Sequence, residues 1–297
     1  MAFAPALLLL ASCSAATDTN TAKIKSSTAQ IAESPKPSYP NPASLAATGW
    51  TPERYDTWVK SRAGTGDPVY WYSVGTLRAF PGGKLLYKFE GYDTGRAKRV
   101  SPTLTQQYSR KTYIYRDIET DAVITEVNGK AITPIAYPYQ YITYEYKTDK
   151  DAPYLETMVE QGVAPNVRKI GPGNDITVRQ IGNLEIYNAP LFLDFAIPGK
   201  EARYQTFENY DFIIPQDQSQ PGMITFMRYG PLPDWAQYTD ANGTLITQGA
   251  MHMTTWRIAN FEDVPQRFQN YIQESAPLWQ APPKDLADIR RLQGVKP

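Results

Sequence analysis

The sequence predicts a mainly β domain: an antiparallel β-barrel-like or strongly curved sheet with peripheral N- and C-terminal helices. Three observations predict it. From Val69 to Ile258, apolar and polar residues alternate with a period of two in short runs. Tight-turn signals separate the runs, among them Pro81-Gly82-Gly83, Asn128-Gly129 and Asn242-Gly243. The chain also carries 21 Tyr, 10 Phe and 6 Trp. Aromatic and β-branched side chains favour a pleated, half-buried surface, and they also line small-molecule cavities.

Taken in order, the first element is a helix. Thr51 can cap, Pro52 suits the first turn, and Tyr55 and Trp58 carry the pattern to about Arg62 before Gly64 and Gly66. Val69 to Val74 reads as a strand. Lys84 to Tyr92 alternates, with Leu85, Tyr87 and Phe89 on one face and Lys88, Glu90 and Tyr92 on the other. Tyr108 to Arg116 is the next strand, and Val123 to Thr133 folds back about Asn128-Gly129, a type I′ hairpin signal. Tyr139 to Tyr146, Ile176 to Tyr187, Tyr204 to Ile214, Met223 to Tyr229, Leu245 to Thr247 and His252 to Ile258 complete the strands. Further turns are expected at Gly171-Pro172-Gly173, Pro198-Gly199 and Pro221-Gly222. The tail changes period: Asp263 to Gln273 and Leu286 to Leu292 read as helices separated by Pro282-Pro283.

The amino terminus belongs to another class of segment. Ala2 to Ala11 is apolar but, at about ten residues, has the length of a signal-peptide core and not of a membrane span. It runs into Leu10-Ala11-Ser12-Cys13, which resembles the bacterial lipobox and accounts for the chain's one cysteine. No Lys or Arg precedes the apolar run, a departure from the usual signal peptide. The resemblance implies lipidation at Cys13 and a bacterial cell-envelope location on the periplasmic side. Ser14 after the cysteine favours the outer membrane in that class of protein. Ser14 to Ser44 is rich in Ser, Thr, Ala, Lys and Pro, too poor in apolar side chains to offset the entropy of folding. The expected organisation is therefore a signal peptide over 1–13, a disordered tether over 14–44 and one β-rich domain over 45–297.

Composition also excludes chemistries. Lys and Arg number 30 against 30 Asp and Glu, without a basic cluster, so no nucleic-acid partner is expected. One Cys and one His cannot build a zinc, haem or iron–sulfur site, so no metal site and no cofactor are expected, with only an oxygen-ligand ion such as calcium left open. P-loop, dinucleotide-binding, His-Glu-x-x-His and Gly-x-Ser-x-Gly patterns are absent.

The stretches Pro68 to Gly75, Phe89 to Arg96 and Arg228 to Trp235, with Tyr271, Pro282 and Pro283 in the tail, resemble the bacterial family designated domain of unknown function 1838. The resemblance spans most of Thr51 to Leu292 and implies a single exported domain. It transfers no catalytic residue, because the family carries no assigned reaction.

Three readings of function follow. In the first, an envelope lipoprotein binds a small amphipathic or aromatic molecule in a pocket of several hundred cubic ångströms. Tyr72, Tyr115, Tyr144 and Trp256 would wall that pocket. The second is a metal-free acid–base enzyme in the same cavity, acting on a small hydrophobic substrate, with His252, Glu90, Tyr92 and Arg96 as its polar groups. The third is an envelope interaction or assembly protein using an exposed aromatic patch. Beyond the membrane reached through the N-terminal lipid, the expected partner is a small hydrophobic ligand. Alternation alone does not say which face is interior, because a one-residue slip exchanges the two sets of side chains.

Overall fold

The computed structural model describes residues 42–132, 134–147, 154–160, 166–169, 175–196, 203–217 and 222–294. These lie within one compact unit, Pro40–Pro297. The expected signal peptide, Cys13 and the tether up to residue 41 fall outside them, as do the turns placed at 171–173, at 198–199 and at Pro221.

The described chain opens with strand β1 (Ala43–Ser44), the helical turn α1 (Leu45–Thr48) and helix α2 (Pro52–Ala63). Strands β2 (Val69–Phe80), β3 (Leu85–Ser101) and β4 (Leu104–Arg116) form a meander. The small hairpin β5 (Glu126–Val127) and β6 (Lys130–Ala131) precedes β7 (Ile135–Tyr146), β8 (Tyr154–Glu160) and β9 (Asn166–Lys169). Next come β10 (Thr177–Ile181), β11 (Leu184–Ala196), β12 (Arg203–Pro215) and β13 (Met223–Pro231). A second small hairpin, β14 (Tyr238–Thr239) and β15 (Leu245–Ile246), leads into β16 (Gln248–Ile258). Helices α3 (Gln266–Ser275) and α4 (Leu286–Leu292) end the chain, with short 3-10 turns at Phe261–Asp263 and Pro277–Gln280.

Twelve strands make one sheet in the order β1-β10-β11-β12-β13-β16-β2-β3-β4-β7-β8-β9, and all its neighbouring pairs are antiparallel. The mainly β expectation holds. The barrel form of it does not: β1 and β9 are open edges, so among the described residues the ladder never closes.

The sheet is nevertheless strongly curved. In a flat sheet β12 and β7, six ladder steps apart, would be separated by about 29 Å. Here both pack on α2. Arg62 Cζ lies 5.7 Å from the Tyr144 ring of β7 and 5.9 Å from the Phe212 ring of β12. Trp58 meets Phe212 edge-on at 4.7 Å, and Tyr55 Oη donates to the Tyr144 carbonyl at 2.9 Å. The sheet thus wraps α2 in its concave face. Register shifts at Leu77/Arg78, Arg99/Ser101 and Ser109/Lys111 add local bend, as bulges do.

The far end of the concave face is filled. Phe89, Tyr113, Tyr115, Phe226, Met251 and Met253 pack there beneath Leu232, Trp235 and Ile246. Gly91 permits this packing, since a Cβ on it would stand 1.9 Å from the Tyr113 ring. The convex face of β2, β3 and β4 is covered by the C-terminal segment, with Phe268 and Ile272 packed against Tyr92 and Ile114.

Several elements depart from expectation. Ala43 and Ser44, assigned to the tether, pair with Val178 and Thr177 of β10. Edge pairing uses backbone groups and needs no apolar side chain, so composition does not reveal it. Strand β3 continues through Asp93 to Ser101, although that stretch is rich in charge. The strand expected over Ile176 to Tyr187 is two, turning at Gly182-Asn183 with Gly182 at φ 59°. The Asn128-Gly129 turn is as expected, with both residues at positive φ.

Candidate functional site

The site is built on α2. Thr51 Oγ1 caps the helix by accepting from the Arg54 amide at 3.3 Å, and Gly64, at φ 83°, ends it. Tyr55 and Trp58 turn into the core, which leaves Thr57, Lys60 and Ser61 along the neighbouring stripe. Between that stripe and the sheet lies a cleft of about 440 Å³. Its strand wall comprises Trp71 of β2, Phe212 and Ile214 of β12, Met223 and Ile224 of β13, and Arg257 of β16. A volume of this size is typical of small-molecule sites.

Arg257 is the unusual member. It is half-buried, and burial lowers its pKa from the ordinary guanidinium value. Arg257 Cζ stands 5.9 Å from the centre of the Trp71 ring, its cross-strand partner. No carboxylate among the described residues pairs with it. Gly64 lets the guanidinium lie close, for a Cβ there would be 3.3 Å from Nη2. A cation so placed, beside hydroxyls and an apolar wall, can hold an acid or polar headgroup while the wall takes an apolar chain.

The four rings expected to share a pocket are split between the two faces. Tyr144 is concave but buried against α2, with Oη donating to Gln107 Oε1 at 2.5 Å. Tyr115 is concave and packed 4.7 Å from Trp235. Tyr72 and Trp256 pair with each other on the convex face. The register Tyr72–Tyr92–Thr112 puts the even-numbered residues of β2, β3 and β4 on that face, and odd-numbered Tyr115 on the other. None of the four lines the cleft.

The expected catalytic groups also stand on the convex face. Glu90 is 1% exposed and accepts from Tyr72 Oη at 2.5 Å, from Arg267 Nε at 3.3 Å and from Arg116 Nε. It faces neither a barrel interior nor solvent, because α3 lies over it. Tyr92 is buried by Phe261 and Phe268, and this burial pushes its phenol pKa up. Arg96 is half-buried further along β3. His252 is exposed, between Met227 and Thr76 in the ladder, and hydrogen-bonds to none of the other three. Glu90 and Tyr92 are neighbours on one strand face; His252 does not join them.

Sequence reading missed Lys60, Trp71, Phe212, Ile224 and Arg257. One signal was legible. On the last strand Arg257 shares the parity of Met251, Met253 and Thr255, so an Arg stood on the more apolar face of that strand.

Comparison with known proteins adds little. No protein-family model and no curated protein matches the chain. Among solved structures, the crystal structure of a DUF1329 family protein from Desulfovibrio piger ATCC 29098 is similar over 75% of this chain and 97% of that one. The identity is 10% and the TM-score 0.23, too low for any inference about family or function.

Proposed function

We propose that this chain is an exported envelope lipoprotein, anchored through Cys13, whose β domain binds a small amphipathic molecule in the cleft beside α2. The observation that carries the binding reading is the composition of the cleft. Phe212, Ile214 and Ile224 give an apolar wall, while Thr57, Lys60, Ser61 and Arg257 give a polar rim, around about 440 Å³. The motif resemblance to the domain of unknown function 1838 family belongs to the same proposal and supports export. An outer-membrane location rests on Ser14 after the lipobox cysteine. The test is titration with an apolar fluorescent probe, read through tryptophan emission, because Trp71 lines the cleft. Ile224→Trp fills the cleft and should weaken binding by about tenfold, the scale of one lost apolar contact set. Saturable binding that Ile224→Trp leaves unchanged would place the probe elsewhere and end this reading.

A second reading, an envelope interaction protein, is favoured by one observation. The convex face of β11, β12, β13 and β16 exposes Phe192 at 60%, Met227 at 42% and Trp256 at 39%. Exposed large apolar side chains gathered on one face mark interaction surfaces. The acid–base reading has no comparable support, since His252 stands apart from Glu90 and Tyr92.

A further inference from the structure

We infer that the molecule bound in the cleft is an anionic amphiphile, its carboxylate seated on Arg257 and its apolar chain laid along Ile224, Phe212 and Ile214. This rests on the cleft being the ligand site and goes further by naming the headgroup. Among the described residues the lining includes two cations, Lys60 and Arg257, and no Asp or Glu. The chain carries equal numbers of acidic and basic residues, so the excess is local to the cleft. Desolvating a guanidinium without an anion is costly, and a side chain that stays charged at any physiological pH cannot escape by losing its proton. The Trp71 ring offsets part of that cost. The carboxyl end of α2, adjacent at Gly64, contributes only partial negative charge. A planar carboxylate matches the guanidinium fork with two parallel hydrogen bonds.

The sheet register then orders the rest of the ligand. Thr255 precedes Arg257 by two residues on the same face and pairs with Ile224, which in turn pairs with Phe212. An apolar track therefore leads from the guanidinium across β13 to β12. On the opposite side Thr57, Lys60 and Ser61 of α2 supply hydroxyls and a second cation. A ligand with its polar end at Arg257 buries its tail on the strand side.

The experiment is calorimetric titration of the full chain with decanoate and, separately, with the uncharged 1-decanol, both below their aggregation limits. Decanoate should bind saturably and about tenfold more tightly than decanol, the scale of one charge-assisted hydrogen-bonded pair. Arg257→Gln should abolish that preference, bringing decanoate affinity down to that of decanol in the same variant, and Arg257→Lys should keep part of it. Equal affinities in the wild type overturn the headgroup assignment and leave the apolar cleft standing, a comparison that needs no variant to fold. A preference that survives Arg257→Gln also overturns it, by placing the anion at another group. Failure of both ligands to bind removes the cleft as a ligand site and this inference with it.

Discussion

Glu90 shows how one side chain can read as catalytic in sequence and act as a fastening in structure. Its carboxylate joins Tyr72 and Arg116 of the sheet to Arg267 of α3, and Arg267 also reaches Asp121, which Lys88 contacts at 3.2 Å. With side-chain exposures of 2% for Glu90 and 8% for Arg116, removing one partner leaves the other charge buried. Glu90→Gln is expected to cost about 3 kcal/mol, measured by urea unfolding. A loss of less than about 0.5 kcal/mol would show that the network is not holding α3. Asp121 adds a pH dependence. Burial acts to raise its pKa, but Lys88 and Arg267 prevail and hold it below the ordinary value. Its contribution is thus complete above the unfolded carboxylate pKa of about 3.9 and is lost as pH falls through the lower folded value. The unfolding midpoints of wild type and Asp121→Asn should therefore differ near neutrality and converge below about pH 4. A gap that is constant with pH would contradict this.

At the scale of elements, two helical segments grip opposite faces of one sheet. α2 fills the concave face, while α3 and the turns beside it cover the convex face of β2, β3 and β4. Because α2 touches strands six ladder steps apart, the curvature of the sheet depends on it. Trp58, fully buried between Tyr187 and Phe212, is its main anchor. Trp58→Ala is expected to cost about 3–5 kcal/mol. Hydrogen exchange should quicken in β7 and β12 together, since both lose the same support. Exchange that quickened in β12 alone would mean that the curve is held by the strands themselves. The helix was legible from Thr51-Pro52 and Gly64, because caps are local signals. Its position inside the curve was not, because that depends on which strands reach it.

For the whole molecule, the decisive question is where it resides. No helix among the described residues is long and apolar enough to cross a membrane; the anchor proposed above is the lipobox cysteine, Cys13. Replacing Cys13 with Ser should abolish incorporation of a labelled fatty acid and shift the protein from the membrane to the soluble fraction. Undiminished labelling in that variant would refute lipidation at this position. An anchored protein with a half-covered convex face would present Phe192, Met227 and Trp256 to whatever lies alongside it, which suits the second functional reading.

The sequence by itself determined the strand-forming class, the turn at Asn128-Gly129 and the alternation that puts Lys88, Glu90 and Tyr92 on one face. All three follow from short-range physics: backbone sterics at turns and the two-residue period of a strand. Only the tertiary structure decided the rest. Pairing of Tyr72 with Tyr92 and Trp256 sent Tyr72 and Trp256 to the convex face and left Tyr115 and Tyr144 on the concave one. Curvature brought β7 and β12 onto one helix. Strand β3 runs on through its charged stretch, where Arg99 pairs with Asp56 of α2 and Ala97 shares a core with Tyr55. The cleft draws on α2, β2, β12, β13 and β16, segments far apart in the chain. Register and strand order set which side chains converge there, and both are long-range properties that local alternation does not encode.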